Sequence, residues 1–508
     1  YKFTAGKHNV EMLAGTAYQK DSNSTIFGSA TNISQPYLLA FDNVSDPTNK
    51  LLFGNSGVRY FYSPIFGRIN YNYDDRYLIT GNYRRDGTSQ LPVSTRYGNF
   101  EGVSIGWNIN KEHFIHLPEA IDNLKLRAGY GIQGNVEALG YYDYQTIVNA
   151  NASYVFGNTL ASGTTQTQVF AQNNQWEQKK TKNLGLDLSL WSSRVTFTAE
   201  YYDNQINGIL LAVPIPASVG AINTPVVNAA TFTNKGFEFS LTYHSKTNND
   251  FHYDISANAS TLANKVLSLG SGNNPIYGPY SRTAVGQEVG QLYGYVTEGI
   301  FQNAADLKNH ATQIGATVGD IKFKDINGDG AITDADQTYL GSAIPKFYFG
   351  LNFNASYKNF DASIFIQGNT GSKIANGVYQ SLMSGQYINA STDELNFWSP
   401  TNTNTNVPRP VIGDPNGNGR NSDRFIQDGS YARIQTAQLG YNVPQTFLNR
   451  THAIKSFHIY LSGQNLFTIT KYKGYDPDFG NDGTINRGFD YGSFPNPRTL
   501  LFGVKVGF

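Results

Sequence analysis

The stretch DINGDGAITDAD, from Asp325 to Asp336, has the residue types and spacing best suited to chemistry in this 508-residue chain. It follows a calcium-loop template, in which oxygen-bearing side chains at alternate positions wrap a hard cation. Asp325, Asn327 and Asp329 would supply side-chain oxygens, Ala331 its carbonyl and Asp336 its carboxylate. Gly330 permits the sharp turn such a loop needs, and Ile332 is expected to anchor it inward. The last ligand is Asp where Glu is usual, so its bidentate reach is shorter, and no helix pattern flanks the loop. An ion-free turn rich in Asp, Asn and Gly would carry the same letters. Calcium here would brace a loop and catalyse nothing, so it is a candidate structural ion, and no cofactor is required.

Three enzyme-like patterns fail on their surroundings. The run Gly102-Val103-Ser104-Ile105-Gly106 has the letters of a nucleophile elbow, but that device needs a strand-to-helix turn. Here Val103, Ile105 and Trp107 continue an alternating strand. Gly129, Gly131 and Gly134 match a dinucleotide fingerprint by letters only, with no helix pattern following. His113 and His116 beside Glu112 have metal-ligand spacing but fall in a connection between strands. The expectation is therefore no catalytic residue and no enzyme. Aromatics also stand among amides in a long polar loop: Tyr379, Tyr387, Phe397 and Trp398. Such rings could stack on sugars, or serve as packing anchors of a folded loop.

Composition narrows the class. The chain balances 38 basic against 38 acidic residues, which gives no electrostatic reason to expect nucleic acid. It has 34 Tyr, 32 Phe and 51 Gly, and no cysteine, so disulfides and thiolate metal sites are excluded. Mean hydropathy is −0.39, and no run approaches twenty apolar residues, so transmembrane helices are not expected. A membrane β-barrel has a polar interior and averages to the same soluble-looking value.

The elements that would position these residues are strands. From Pro345 to Gly368, Phe347, Phe349, Leu351, Phe353, Ala355 and Tyr357 alternate with Tyr348, Gly350, Asn352, Asn354 and Ser356. After a turn at Lys358-Asn359, Phe360, Ala362, Ile364 and Ile366 resume the apolar face. Each arm has about ten residues, the length of a tilted strand across hydrocarbon. Further strands are expected at His8–Lys20, Tyr60–Tyr73, Arg76–Arg85, Asn99–Ile109, Leu124–Gln133, Glu177–Trp191, Arg194–Tyr202, Thr231–His244 and Phe251–Leu262. The last three are Ser430–Asn442, Phe457–Ile469 and Arg498–Phe508, the final one ending on an aromatic as barrel strands do. That makes about fourteen strands, with short turns at one end alternating with long polar loops at the other.

Ordered segments along the chain resemble the SusC/RagA-type TonB-dependent outer-membrane transporters of Bacteroidetes. They include DRYLITGNYRRDGTS (75–89), NLKLRAGYGIQGN (123–135), NQWEQKKTKNLGLDLSLW (174–191) and NKGFEFSLTY (234–243). They continue with GWNINKEHF (106–114), GQLYGYVTEGIF (290–301), GDIKFKDINGDGAITDADQTYLGSAIPKFYFG (319–350), DGSYARIQTAQLGYNVP (428–444), NLFTITKYKGYDPD (465–478) and the terminal FGVKVGF (502–508). The resemblance implies an all-β, transmembrane antiparallel β-barrel of 22 strands with long extracellular loops. Residues 1–508 would supply about its last fourteen strands, with a plug domain, a TonB box and early strands preceding Tyr1. It implies import of a large nutrient, glycan first and peptide second, across the outer membrane of a Gram-negative bacterium. It also implies a SusD-like surface lipoprotein as a lid and energy from TonB-ExbB-ExbD. The alternative from another class is a secreted or surface all-β glycan-binding protein. The outward face discriminates the two, since a soluble protein would carry charge where Phe349, Leu351, Phe353, Ile364 and Ile366 stand.

Overall fold

A computed structural model describes residues 1–33, 37, 40–44, 46–145, 148–166, 169, 171–213, 215, 218, 224–246, 250–270, 272–384, 389–450, 453–480 and 485–508. The protein is nearly all β, and among the described residues its principal sheet has 16 strands. Those used below are β1 Lys2–Ala5, β2 His8–Ala30, β3 Lys50–Tyr73, β4 Tyr77–Thr88, β5 Tyr97–Asn108, β6 Ile121–Asn135, β7 Glu177–Leu190 and β8 Val195–Ala212. They continue with β9 Val226–His244, β10 Phe251–Thr261, β11 Phe347–Tyr357, β12 Phe360–Thr370, β13 Tyr431–Asn442, β14 Ser456–Thr470 and β15 Thr499–Gly507. Among the described residues, no helix is long and apolar enough to cross a membrane.

The chain forms two compact units. The first comprises Tyr1–Ile105, Gly129–Thr181 and Ile206–Ala230, and the second Gly106–Ala128, Lys182–Gln205 and Thr231–Phe508. In the first unit β1 to β4 pair antiparallel in chain order. The β3–β4 turn is Asp74-Asp75, both at positive φ (54° and 53°), as the primed hairpin turns require. Asn72 holds it, accepting from the Asp75 N–H at 2.9 Å. Lys7 in the β1–β2 turn reaches Asp74 at 2.7 Å. A small core of Leu91, Val136, Leu139 and Leu210 sits at the long-loop end, with Phe61, Trp176 and Val226 packed on it.

Two expectations change here. The first strand does not stop at Lys20: β2 runs to Ala30, paired with β3 as far back as Lys50. Ladder hydrogen bonds need no side-chain pattern, so pairing outlasts the apolar alternation that marks a strand in sequence. The short strand β1 also precedes β2 and was not expected. In the polar stretch after β6, Val148–Phe156 pairs with Thr159–Gln166 as a separate hairpin.

In the second unit β9 to β15 pair antiparallel, again in chain order. The hairpin from β11 to β12 lies as expected, register Tyr357 opposite Phe360 and Leu351 opposite Ile366, with Lys358 at positive φ in the turn. Cross-strand register assembles its apolar face into rows. Tyr253, Ala355, Ala362, Leu439, Leu461 and Phe502 stand directly opposite one another on six consecutive strands. Leu439, Leu461 and Phe502 are 58%, 57% and 70% exposed. An in-register band of exposed apolar side chains is the face that the hairpin's alternation predicts.

Candidate functional site

The long connections of the second unit fold into a body with its own core. The segment between β10 and β11 carries the DINGDGAITDAD loop. Asp325 folds it locally, one carboxylate oxygen accepting from Gly328 N at 2.7 Å and the other from Gly330 N at 2.9 Å. Asn327 Oδ1 accepts from Asp329 N at 3.0 Å, and Asp329 Oδ1 from Ala331 N at 2.9 Å. Gly328 and Gly330 have φ of 74° and 82°, a region a side chain disfavours.

Asp336 closes the loop and is fully buried. Its Oδ1 accepts from Ile326 N at 2.9 Å and its Oδ2 from Thr333 N at 2.7 Å, in a capping box of a single 3₁₀ turn. Burial pushes the Asp336 carboxyl up, but the N–H groups of Thr333, Ile326 and Asn327, with a contact from Asp325, bring it below its ordinary value of 3.8. The donor set of the loop is all oxygen, which suits a hard cation such as calcium. Both Asp336 oxygens already hold backbone N–H groups, so a cation would share them. Among the described residues, no three His, Asp or Glu side chains form a metal-binding group.

Ile332 points inward as expected. It is buried in one cluster with Tyr295, Ile300, Ile321, Phe323 and Trp398. Trp398 comes from the next long connection, between β12 and β13, so two loops distant in sequence share one core. Its indole Nε1 donates to Gln302 Oε1 at 2.9 Å. Arg420 lies over the Phe323 and Tyr295 rings, 4.5 and 4.9 Å from their centroids.

Beside this core runs a buried polar network that sequence reading missed. Asp320 is fully buried and pairs with Arg409 at 3.1 Å. It also accepts from Asn418 Nδ2 at 3.1 Å and Thr317 N at 2.9 Å. Asn418 Oδ1 in turn takes Ile321 N at 2.8 Å, and Asn416 Nδ2 donates to Ile321 O at 3.1 Å. In sequence, DPNGNGRNSDRF (414–425) carries no motif and no periodicity. Its Asn residues instead satisfy the buried backbone of the other loop.

The aromatic candidates separate. Tyr379 is an anchor, its ring against Phe425 and its hydroxyl on Asp393 at 3.2 Å. Burial, reinforced by Asp393, pushes that phenol up. Trp398 is core, as above. Phe397 is 40% exposed and lines a recess with Met383, Val407, Arg409 and Pro410. Tyr387 lies outside the described residues. Tyr379 and Phe397 are brought near one hydrophobic cluster, of Met383, Val407 and Phe425, while Trp398 belongs to the other.

The enzyme-like patterns sit where strands place them. Ser104 is inside β5, and Gly129 to Gly134 are inside β6. Glu112 is buried and accepts from Trp107 Nε1 at 2.9 Å, which ties the carboxylate to the end of its own strand.

Comparisons with known proteins agree with this architecture. The chain is 34% identical over 529 residues to TonB-dependent receptor P3 of Formosa agariphila, covering 100% of this chain and 51% of the relative. It is 29% identical to TonB-dependent receptor SusC of Bacteroides thetaiotaomicron, over 87% of this chain and 43% of the relative. In fold it is similar to a structure of the RagAB peptide transporter, with TM-score 0.83 at 22% identity, covering 100% of this chain and 54% of that one. No protein-family model matches the chain. It spans about half the length of the curated relatives it matches. The strand wall and its folded long loops define a barrel region of the TonB-dependent receptor class. Within that class, the chain is a barrel region of the SusC/RagA type.

Proposed function

We propose that the protein containing this chain imports a large nutrient across the outer membrane of a Gram-negative bacterium, powered through TonB-ExbB-ExbD. The observation that carries the reading is the exposed apolar band, whose rows run in register across the wall strands of the second unit. A soluble glycan-binding protein would leave several hundred Å² of apolar surface in water, an aggregation liability. A lipid-facing wall buries it in hydrocarbon. The relatives' names, TonB-dependent receptor and SusC, support the same reading.

In this reading the hairpin turns face the periplasm and the folded long loops face outward, under a SusD-like lipoprotein lid. The cargo is an oligosaccharide first and a peptide second; the peptide option rests on the RagAB likeness. The DINGDGAITDAD loop holds a structural calcium through Asp325, Asn327, Asp329, the Ala331 carbonyl and Asp336. The test is uptake of labelled oligosaccharides and peptides by cells with and without the gene, and with and without functional TonB. Loss of uptake in both deletions is expected. Unchanged uptake in both, with the protein recovered in the soluble fraction without detergent, would favour the soluble binder.

A further inference from the structure

Four short segments of the loop between β10 and β11 form a small antiparallel sheet: 276–277, 281–283, 291–294 and 338–341. Its two faces differ. Ser281, Thr283 and Leu292 point into the protein and are 3%, 0% and 0% exposed. By strand alternation the other face presents Tyr277, Arg282, Gln291, Tyr293 and Tyr339. Arg282 stands directly opposite both Tyr277 and Gln291, and Tyr293 opposite Tyr339.

The three tyrosines surround one cation. The Arg282 guanidinium is 5.6, 5.0 and 5.8 Å from the ring centroids of Tyr277, Tyr293 and Tyr339. Its Nη1 donates to the Tyr293 hydroxyl at 3.3 Å. Its Nε is buried without a partner, and so is Oε1 of the neighbouring Gln291. Among the described residues, other interior guanidiniums of this loop body reach a carboxylate or a carbonyl: Arg409 reaches Asp320, Arg420 the Gly417 carbonyl at 3.0 Å and Arg424 the Asn418 carbonyl at 2.7 Å. Among the described residues, no carboxylate lies within ion-pair distance of Arg282. A planar fork with five donors, without an acid and flanked by flat rings, matches a ligand that brings a carboxylate and rings of its own. Tyr277 is 59% exposed, so the face is open to such a ligand.

We propose that this face is a binding platform for an acidic saccharide. A uronate carboxylate sits on Arg282, the apolar faces of the sugar rings lie on Tyr277 and Tyr339, and Gln291 accepts a sugar hydroxyl. The proposal rests on the importer reading and names the class of its cargo. Saccharide is favoured over peptide because three rings on one small sheet offer flat stacking surfaces, which pyranose rings fill better than extended backbone.

The test is calorimetric titration of the detergent-solubilised full-length protein with trigalacturonate, its fully methyl-esterified form and a Glu-containing tripeptide. Trigalacturonate should bind about 10- to 100-fold tighter than its ester, the size of a charge-assisted hydrogen-bonded pair. Arg282→Gln should abolish that difference and leave the ester's affinity unchanged. Arg282→Lys, which keeps the charge and loses the fork, should fall between. Equal affinity for acid and ester on the native protein would overturn the proposal, and so would tighter binding of the tripeptide. Because the ester comparison uses the native protein, it holds even if a variant fails to fold. Energised uptake in cells is read separately, so loss of the platform leaves the importer reading standing.

Discussion

Arg433 on β13 is ion-paired with Asp476 of the last long loop, and both side chains are buried, 2% and 8% exposed. Asp478 adds a second carboxylate at 3.3 Å, and Thr468 on β14 accepts from Arg433 Nε at 2.9 Å. Asp476 also receives Asn496 N at 3.1 Å and Asn496 Nδ2 at 3.0 Å. One strand residue thereby ties the loop to the wall. Removing Arg433 would leave the buried Asp476 carboxylate uncompensated, which costs about 3–5 kcal/mol, whereas removing Asp476 leaves Arg433 only the half-exposed Asp478, at a smaller cost. Asp476→Asn should lower the chemical-denaturation midpoint and speed proteolysis at residues 471–480 and 485–497. A double replacement, Arg433→Met with Asp476→Leu, should be milder than either single change. Equal proteolysis of native and Asp476→Asn protein would show that the pair does not hold the loop.

The apolar rows predict a face-specific response. Leu461 stands between Leu439 and Phe502 on the exposed face. Leu461→Arg should destabilise a lipid-facing strand by about 2–4 kcal/mol near mid-membrane. Gln438, opposite Ser462 on the other face, should accept Arg at little cost. Folding titrations into lipid vesicles measure both, and an equal response at the two positions would remove the argument for a lipid face.

Asp336 predicts an acid transition in the loop body. Its folded carboxyl titrates below the ordinary 3.8, so its stabilisation is present above that value and is lost as pH falls through the lowered one. Hydrogen exchange at Ile326, Asn327 and Thr333 should therefore stay slow at neutral pH and quicken only below about pH 4. Asp336→Asn should remove the pH dependence and quicken exchange throughout. Acid-insensitive exchange in the native protein would contradict the assignment.

The calcium proposal is separable from that bracing role. With calcium bound, chelation should speed proteolysis within 325–336, and Asp325→Ala with Asp329→Ala should abolish the chelator's effect. Identical digestion with and without chelator would leave the loop to its backbone hydrogen bonds alone.

Trp398 predicts coupling between loops. Trp398→Ala should cost about 3–5 kcal/mol in the loop body through the cavity it leaves. The loss should appear as faster hydrogen exchange at Ile332 and Phe323, which share its cluster. Exchange changes confined to Trp398's own loop would argue against a common core.

The strands were largely legible because a wall with one apolar face has to alternate. The hairpin at Lys358 and the turn at Asp74-Asp75 followed from period-two runs bounded by turn residues. Strand ends were less legible. The β2–β3 ladder continues into Ser, Thr and Asn, where backbone pairing persists without side-chain periodicity. Tyr379 and Trp398 were visible as aromatics in a polar loop, but whether such a ring packs or binds depends on neighbours far away in the chain.

The amino-acid sequence by itself determined an all-β wall, its apolar face, its alternating connections and the oxygen-rich spacing of Asp325, Asn327 and Asp329. These are local properties, set by side-chain alternation and turn chemistry over a few residues. Only the tertiary structure decided that Ile332 and Trp398 share one core, that Asp320 meets Arg409, and that three tyrosines surround Arg282. The first two join segments separated by long stretches of chain, and the third brings Tyr339 from a distant strand beside its neighbours Tyr277 and Tyr293. No local pattern encodes which Asn will satisfy which buried N–H, so that information exists only once the loops have packed.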